Sequence, residues 1–435
     1  MGDVVTYREF DKLVPRRELE DTTRRIVYCP FFESLWEFAL SSDNAKRFFV
    51  YASQPEVGRY VTPQNYVGTI RLANGIQVEI LPKCCETDES SVSQARTLLI
   101  DMLNCLRDAP FRVSRTARLA AARMNLSQVF IRMFLEEVQR LVKSGIRADY
   151  VPQRGNLNRL RGRLLPSEQL RRNLLYPARL FCAYDEYHRD CPENRLVKAT
   201  LLMLRQQNGA ASLHGDINRL LGYFGDVCAS TSYAADFARV RRDRNRREYA
   251  RLMEWARVFL LGQSFTGYSG DHSALALLFP MERLFEDYVA HHIRRKFSPL
   301  GWQVSIQETS CHLFEGGGER SFSLKPDIVL RREGRVVLLD TKWKVLSDDA
   351  SHHYGVSHTD MYQMCAYAAR YNATHIYLLY PFRKSWMTAG TPVHRYAQSP
   401  TGAVVTLFPL NLLEEKDMED SLSALEEELA PYQGR

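Results

Sequence analysis

Two short apolar runs, Ile328 to Leu330 and Val336 to Leu339, flank the polar stretch Arg331-Arg332-Glu333-Gly334, a pattern that predicts an antiparallel hairpin. A two-residue loop at Glu333-Gly334 sets Arg332 opposite Arg335, and counting outward along the ladder sets Asp327 opposite Asp340. Upstream, Leu284, Phe285, Tyr288, Val289 and His292 recur at helical spacing within Pro280 to Phe297, where Pro280 suits a first turn. Trp302 to Gln307 alternates as a strand does. Downstream, Asp360 is a candidate cap for a helix that carries Gln363 and Tyr367 four apart, and Thr374 to Tyr380 is an apolar strand. The order is helix, three strands, helix, strand.

The same reading divides the rest of the chain. Around Asn74-Gly75, Ile70 and Leu72 alternate on one side and Ile76, Val78 and Ile80 on the other, which predicts a second hairpin in a β-rich unit. From about Ser90 to Phe265 the periodicity is mostly helical. The clearest helix is capped by Ser127, buries Val129, Phe130, Met133, Phe134, Val138, Leu141 and Val142, and ends at Gly145. Gly262 to Gly270 reads as a linker. An α+β multidomain chain follows: an N-terminal β-rich domain over 1–88, a mostly helical region over 89–265 and a C-terminal α/β core over 266–435. The acidic segment from Glu414 onward is expected to be a peripheral helix with a frayed end.

Composition alters this picture little. Hydrophobic residues make up 45% of 435 and charged residues 25%, as in an ordinary globular chain. No apolar run has the length of a bilayer span, and no leader pattern is present. The nine cysteines are odd in number and include no Cys-x-x-Cys pair, so reduced thiols in a cytoplasmic protein are expected. Net charge is +7, which permits a polyanionic partner. Its concentration matters more. Arg154, Arg159, Arg161, Arg163, Arg171 and Arg172 are opposed only by Glu168, and suit either phosphates or an acidic protein surface. Arg239, Arg241, Arg242, Arg244, Arg246, Arg247 and Arg251 are expected to wind around one exposed helix, for which DNA backbone is the better partner. The acidic run Asp185 to Asp190 reads as caps and salt bridges in a helix-to-helix connection, and Asn194 and Arg195 as structural. His352, His353 and His358 lack zinc spacing and are expected to lie in a mobile loop.

The chemistry converges on the first hairpin. Lys342 shares a face with Asp340, so two carboxylates and an ammonium meet at one end. Carboxylates forced together are relieved by a divalent cation, and oxygen ligands with retained waters suit Mg²⁺. A lysine beside them can orient or activate a water that attacks phosphorus. Pro-Asp, twelve residues, then Asp-x-Lys resembles the PD-(D/E)xK nuclease superfamily, and Gln363-x-x-x-Tyr367 resembles the motif of its RecB-like members. The hairpin ending Glu79-Ile80-Leu81-Pro82-Lys83, the Leu160 to Arg163 run, Tyr184-Asp185-Glu186-Tyr187 with Asn194, and Leu284 to Val289 look like McrC. McrC is the nuclease subunit of McrBC-type modification-dependent restriction systems. The similarity runs from about Tyr66 to about Phe382 and is weak over the first sixty residues.

That resemblance implies a type IV restriction endonuclease subunit with a restriction-endonuclease-like core. It would cut modified, methylcytosine-containing double-stranded DNA with Mg²⁺ while docked on an McrB-like AAA+ GTPase that it stimulates. Asp327, Asp340, the carbonyl of Thr341 and Glu286 would hold the metal, and Lys342, Gln363 and Tyr367 would assist. Glu286 is chosen because it lies in the Leu284 to Val289 stretch; Glu282, one turn away, is the alternative. The chain has no Gly-x-x-x-x-Gly-Lys-Ser/Thr loop, so the motor would be a separate chain. A stand-alone PD-(D/E)xK repair or recombination nuclease and a non-catalytic activator of an AAA+ ring are the competing readings.

Overall fold

A computed structural model describes residues 4–21, 24–41, 45–72, 74–84, 89–107, 118, 124–174, 178–240, 247–261, 275–316, 319–383, 386–397 and 402–430. The chain forms two compact units, one of Val4–Leu126 with Leu278–Arg435 and the other built on Ser127–Leu277. These units cut across the three consecutive segments expected at 1–88, 89–265 and 266–435. The N-terminal β-rich residues share a unit with the C-terminal core. Among the described residues no helix is long and apolar enough to cross a membrane.

In the first unit the hairpin forms in the expected register, with Arg332 paired to Arg335 and Ile328 to Leu339. Glu333 and Gly334 both take positive φ, 51° and 78°, which is the tight two-residue turn whose twist matches its strands. The hairpin strands, Ile328–Arg332 and Arg335–Thr341, lie inside a six-stranded sheet. Gln303–Ile306 pairs antiparallel on one side; on the other side His375–Pro381 and then Val404–Leu410 run parallel, and His394–Ala397 closes the edge. Parallel strands need a crossover, and His358–Tyr371 supplies it. Val329, Leu338, Ile376, Leu378 and Leu407 pack against Met364, Ala368 and Tyr371 of that helix. The C-terminal acidic helix, Glu415–Leu429, buries Met418, Leu422, Leu425 and Leu429, so one of its faces belongs to the core. It is tied to the helix Met281–Phe297 by Arg295–Glu415 at 2.8 Å and Lys296–Glu426 at 3.0 Å.

The N-terminal residues of this unit form two further sheets. Val4–Arg8 runs parallel to Gln77–Leu81, which pairs antiparallel with Tyr66–Arg71; Leu275–Pro280, where the chain returns, completes that sheet. The Asn74-Gly75 turn is one residue longer than a two-residue loop. Leu72 and Ile76 close it, and Gly75, at φ 85°, takes the left-handed position of a three-residue loop. The second sheet runs Ile26–Tyr28, Lys12–Val14, Gly58–Pro63, Phe49–Gln54.

The other unit is helical around a small antiparallel sheet of Asp149–Leu157, Leu180–His188 and Arg163–Leu164. This sheet replaces the helices expected there: Leu180–His188 pairs along its whole length with Asp149–Leu157 and buries only Phe181 and Cys182. Asp185 and Glu186 therefore lie on a strand, not between helices. The expected cap of the helix Leu126–Ser144 also differs: Ser127 is inside it, and the Leu126 N–H donates to Glu79 at 2.5 Å. Phe130, Trp255, Phe134 and Phe259 form its aromatic core. Asn194 is fully buried, donates to the carbonyls of Arg147 and Arg189, and accepts from the Tyr249 hydroxyl at 2.7 Å. Arg195 grips Asp190 at 2.7 and 2.6 Å, so both residues are structural. The basic helix expected over 238–252 is two helices, Tyr233–Arg239 and Arg247–Leu261. Arg241, Arg242, Arg244 and Arg246 lie outside the described residues, as does the expected linker 262–270.

Candidate active site

The register that pairs Ile328 with Leu339 carries Asp327 to the end of the strand Arg335–Thr341, where Asp340 and Thr341 wait. Asp327 Oδ2 accepts from both the backbone N–H and the hydroxyl of Thr341, each at 2.7 Å. The side chains of residues 340 and 342 point alike, and Lys342 Nζ lies 2.6 Å from Asp340 Oδ2. That contact is a short, charge-assisted ion pair. Asp340 Oδ2 is buried, with the Lys342 ammonium as its charged neighbour. Lys342 Nζ also donates to Gln363 Oε1 at 3.3 Å and lies 3.8 Å from Asp360. Gln363 donates to the Tyr367 hydroxyl at 2.8 Å, which donates to the Lys325 carbonyl at 3.0 Å. Gln363 and Tyr367 thus brace the loop before Asp327 as well as the lysine.

Of the two helix carboxylates, Glu286 faces this cluster. It accepts from Gln307 Nε2 and from Arg107 Nη2, the latter at 3.1 Å. Glu282 instead accepts from Asn65 at 3.2 Å. Burial and then the charge of Asp327 push the Glu286 carboxyl up to about 7. Burial and then Asp327 push Asp340 up to about 7 as well. Burial raises Asp327, against the two bonds from Thr341. Burial works against the Lys342 ammonium, but Asp340, Asp360 and Asp327 hold its pKa above the ordinary lysine value. Three carboxylates that resist ionising together, beside a lysine that stays charged, form an anionic site short of positive charge.

This donor set can be tested against a cation. All its ligand atoms are oxygen, and the Asp327 and Asp340 carboxylates are both held back from ionising by burial, which suits a hard divalent ion. Among the described residues, however, no group of three or more His, Cys, Asp or Glu is disposed to hold a metal. Glu286 is instead engaged by Gln307 and Arg107. Two carboxylates plus substrate oxygens still match the usual Mg²⁺ site, so Asp327 and Asp340 fit.

Several participants escaped the sequence. Gln307 ends the strand Gln303–Ile306 in a left-handed conformation, φ 48°, and aims its amide at Glu286. Arg107, from the end of the helix Glu89–Cys105, also binds the buried Asp287; nothing in the sequence links it to a residue 180 positions away. Asp360 does not cap its helix. Ser357 does, accepting from the Asp360 N–H at 3.1 Å, and Asp360 pairs with Lys344 at 2.7 Å. The histidines 352 and 353 lie in a short turn, Ala350–Gly355, in which Asp349 accepts from the Ser351 and His352 N–H groups, and His358 opens the helix that follows. Of the basic runs, Arg154, Arg159 and Arg163 are exposed, while Arg161 pairs with Glu186 at 3.1 Å and Arg172 with Glu168 at 2.7 Å. Glu186 is thus a second counter-charge beside Glu168. Arg239 is exposed at a helix end, and Arg247 opens the next helix.

Comparison with known proteins gives three findings. Residues 61–381 match the family model described as McrBC 5-methylcytosine restriction system component. No curated protein matches the chain. Among solved structures, a chain of the refined half-complex from the tetradecameric assembly of Thermococcus gammatolerans McrB AAA+ hexamers with bound McrC is similar. It has 19% identity and a TM-score of 0.70, over 98% of this chain and 99% of that one, a likeness of fold. A chain of the Thermococcus gammatolerans McrBC complex matches at 20% identity and a TM-score of 0.49, over 67% and 87%.

Proposed function

The chain belongs to the McrBC family of 5-methylcytosine restriction system components, and on that premise we propose that it is the DNA-cleaving, McrC-type subunit, with a PD-(D/E)xK core. It hydrolyses phosphodiesters of modified, methylcytosine-containing double-stranded DNA while docked on an McrB-like AAA+ GTPase. The observation that carries the reading is the meeting of Asp327, Asp340, Lys342 and Glu286 at one end of the hairpin.

Asp327 and Asp340 would hold Mg²⁺, with the Thr341 carbonyl beside them and Glu286 available once Arg107 and Gln307 release it. Bound there, the ion would polarise the phosphodiester and lower the pKa of water. The chain's own residues supply the rest. Thr341 fixes the Asp327 carboxylate through two hydrogen bonds. Lys342, charged among carboxylates, orients the attacking water and offsets the negative charge that grows on the phosphorane oxygens. Gln363 holds the lysine, and Tyr367 holds Gln363.

Docking and DNA contact belong to other surfaces. The small sheet of the second unit exposes Tyr150 and Tyr187, whose rings meet tilted at 5.2 Å, and the same unit exposes Leu160, Leu170 and Leu174 and arginines 154, 159 and 163. This mixed apolar and basic surface suits a protein partner. Arg239 to Arg247 serve the DNA backbone. The test separates the two roles. Asp340→Ala protein should stimulate GTP hydrolysis by the partner as well as wild type does, yet fail to cut. Loss of both together would mean that the substitution damages the fold, not the chemistry.

A further inference from the structure

Lys342 lies one residue beyond the end of its strand, where ladder pairing stops. Its N–H still reaches the Leu379 carbonyl at 2.9 Å, and its ammonium is held by Asp340 and Gln363, so a shift of its backbone changes how the flexible stem can meet both partners. The next residue, Trp343, is held at both ends by the far N-terminus. Its indole N–H donates to both oxygens of Glu9, at 3.1 and 3.0 Å. Its carbonyl accepts from Lys83 Nζ at 2.9 Å, and the Lys83 backbone N–H donates back to Glu9 at 3.1 Å. The Lys83 ammonium also lies over the Phe10 ring at 4.5 Å and the Trp343 ring at 5.5 Å. On its other side the indole packs on Phe285, at 5.2 Å, the neighbour of Glu286.

We propose that Glu9 and Lys83 are positioning residues that act through Trp343 to place Lys342; this rests on the nuclease reading of the site. Glu9 is fully buried, and a buried carboxylate is an expensive way to anchor a tryptophan that apolar packing would hold as well. What the carboxylate adds is direction. One indole N–H shared by the two Glu9 oxygens and one carbonyl contact from Lys83 hold residue 343 by side chain and backbone together, and thereby restrict the backbone of residue 342. The clamp also gives a task to Lys83, the last residue of the Glu79 to Lys83 run, and to a stretch of chain that otherwise carries no chemistry.

The test uses the full-length chain with the GTPase partner, GTP, Mg²⁺ and methylated plasmid. Glu9→Gln should slow single-turnover cleavage by about ten- to a hundredfold, with DNA affinity unchanged. In a Lys342→Ala background the same substitution should cost nothing further, because the residue it positions is gone. An equal fold-loss in both backgrounds, or no loss in either, overturns the proposal. A second readout needs no cleavage. In protein labelled with 5-fluorotryptophan, the ¹⁹F line that disappears in Trp343→Phe should move in Glu9→Gln. A stationary line overturns the clamp, whereas a wild-type protein that does not cut at all overturns the nuclease reading instead.

Discussion

Replacing Thr341 by valine tests how the site holds its first carboxylate. The side chains are nearly isosteric, and both suit the end of a strand, so the change removes one hydroxyl and little else. That hydroxyl donates to Asp327 Oδ2 at 2.7 Å, and the backbone N–H at 2.7 Å remains. A hydrogen bond to a charged group contributes about 1.5–3 kcal/mol. If Asp327 must face Asp340 for chemistry, most of that loss appears in the rate, about ten- to a hundredfold. The assay is single-turnover cleavage beside urea unfolding, with Thr341→Ser as the control that keeps the hydroxyl. Serine should cut nearly as wild type does. Valine that loses stability but cuts at the wild-type rate would refute the claim that this bond orients a working carboxylate.

Other consequences follow from the same contacts. Arg195 holds Asp190 down to about 2, below its ordinary 3.8. A depressed carboxylate stabilises the fold above its unfolded pKa and loses that contribution as pH falls through its folded one. Asp190→Asn should therefore cost about 2 kcal/mol at pH 7 and almost nothing near pH 2, measured by denaturant unfolding across pH. Arg107→Ala leaves the fully buried Asp287 side chain without its cation and should destabilise the fold by about 3–5 kcal/mol; Asp287→Asn in the same protein should recover most of the loss. Gly162 takes φ +69°, and a Cβ there would lie 2.8 Å from the Tyr184 Cα. Gly162→Ala should lower stability by about 1–3 kcal/mol and weaken GTPase stimulation, read by calorimetry and phosphate release.

The hairpin was legible in the sequence because a tight turn and a period of two fix every facing pair. Arg332 opposite Arg335 forces Asp327 to the end of the strand that carries Asp340. The stripe Leu284, Phe285, Tyr288, Val289 and His292 was legible for the same reason at helical spacing, and all five are buried. What stayed hidden was long-range. Arg107 meets Glu286 across 179 positions, and Glu9 meets Trp343 across 334, and no local period encodes such a meeting. The strand Leu180–His188 is hard to read from sequence because its only buried residues, Phe181 and Cys182, are adjacent and the outer half carries Asp185, Glu186 and His188, so no apolar alternation marks it. Asp360 was assigned a cap that Ser357 makes, since either side chain can accept from a first-turn N–H.

The central claim is that Asp340 belongs to a site that cuts modified DNA on command from a GTPase partner. It is tested most directly by incubating methylated and unmethylated plasmid with Mg²⁺ and wild-type or Asp340→Ala protein, each with and without the partner and GTP. The account predicts cutting of methylated plasmid by wild type alone, and only with partner and GTP present. Cutting by Asp340→Ala at the wild-type rate would contradict it.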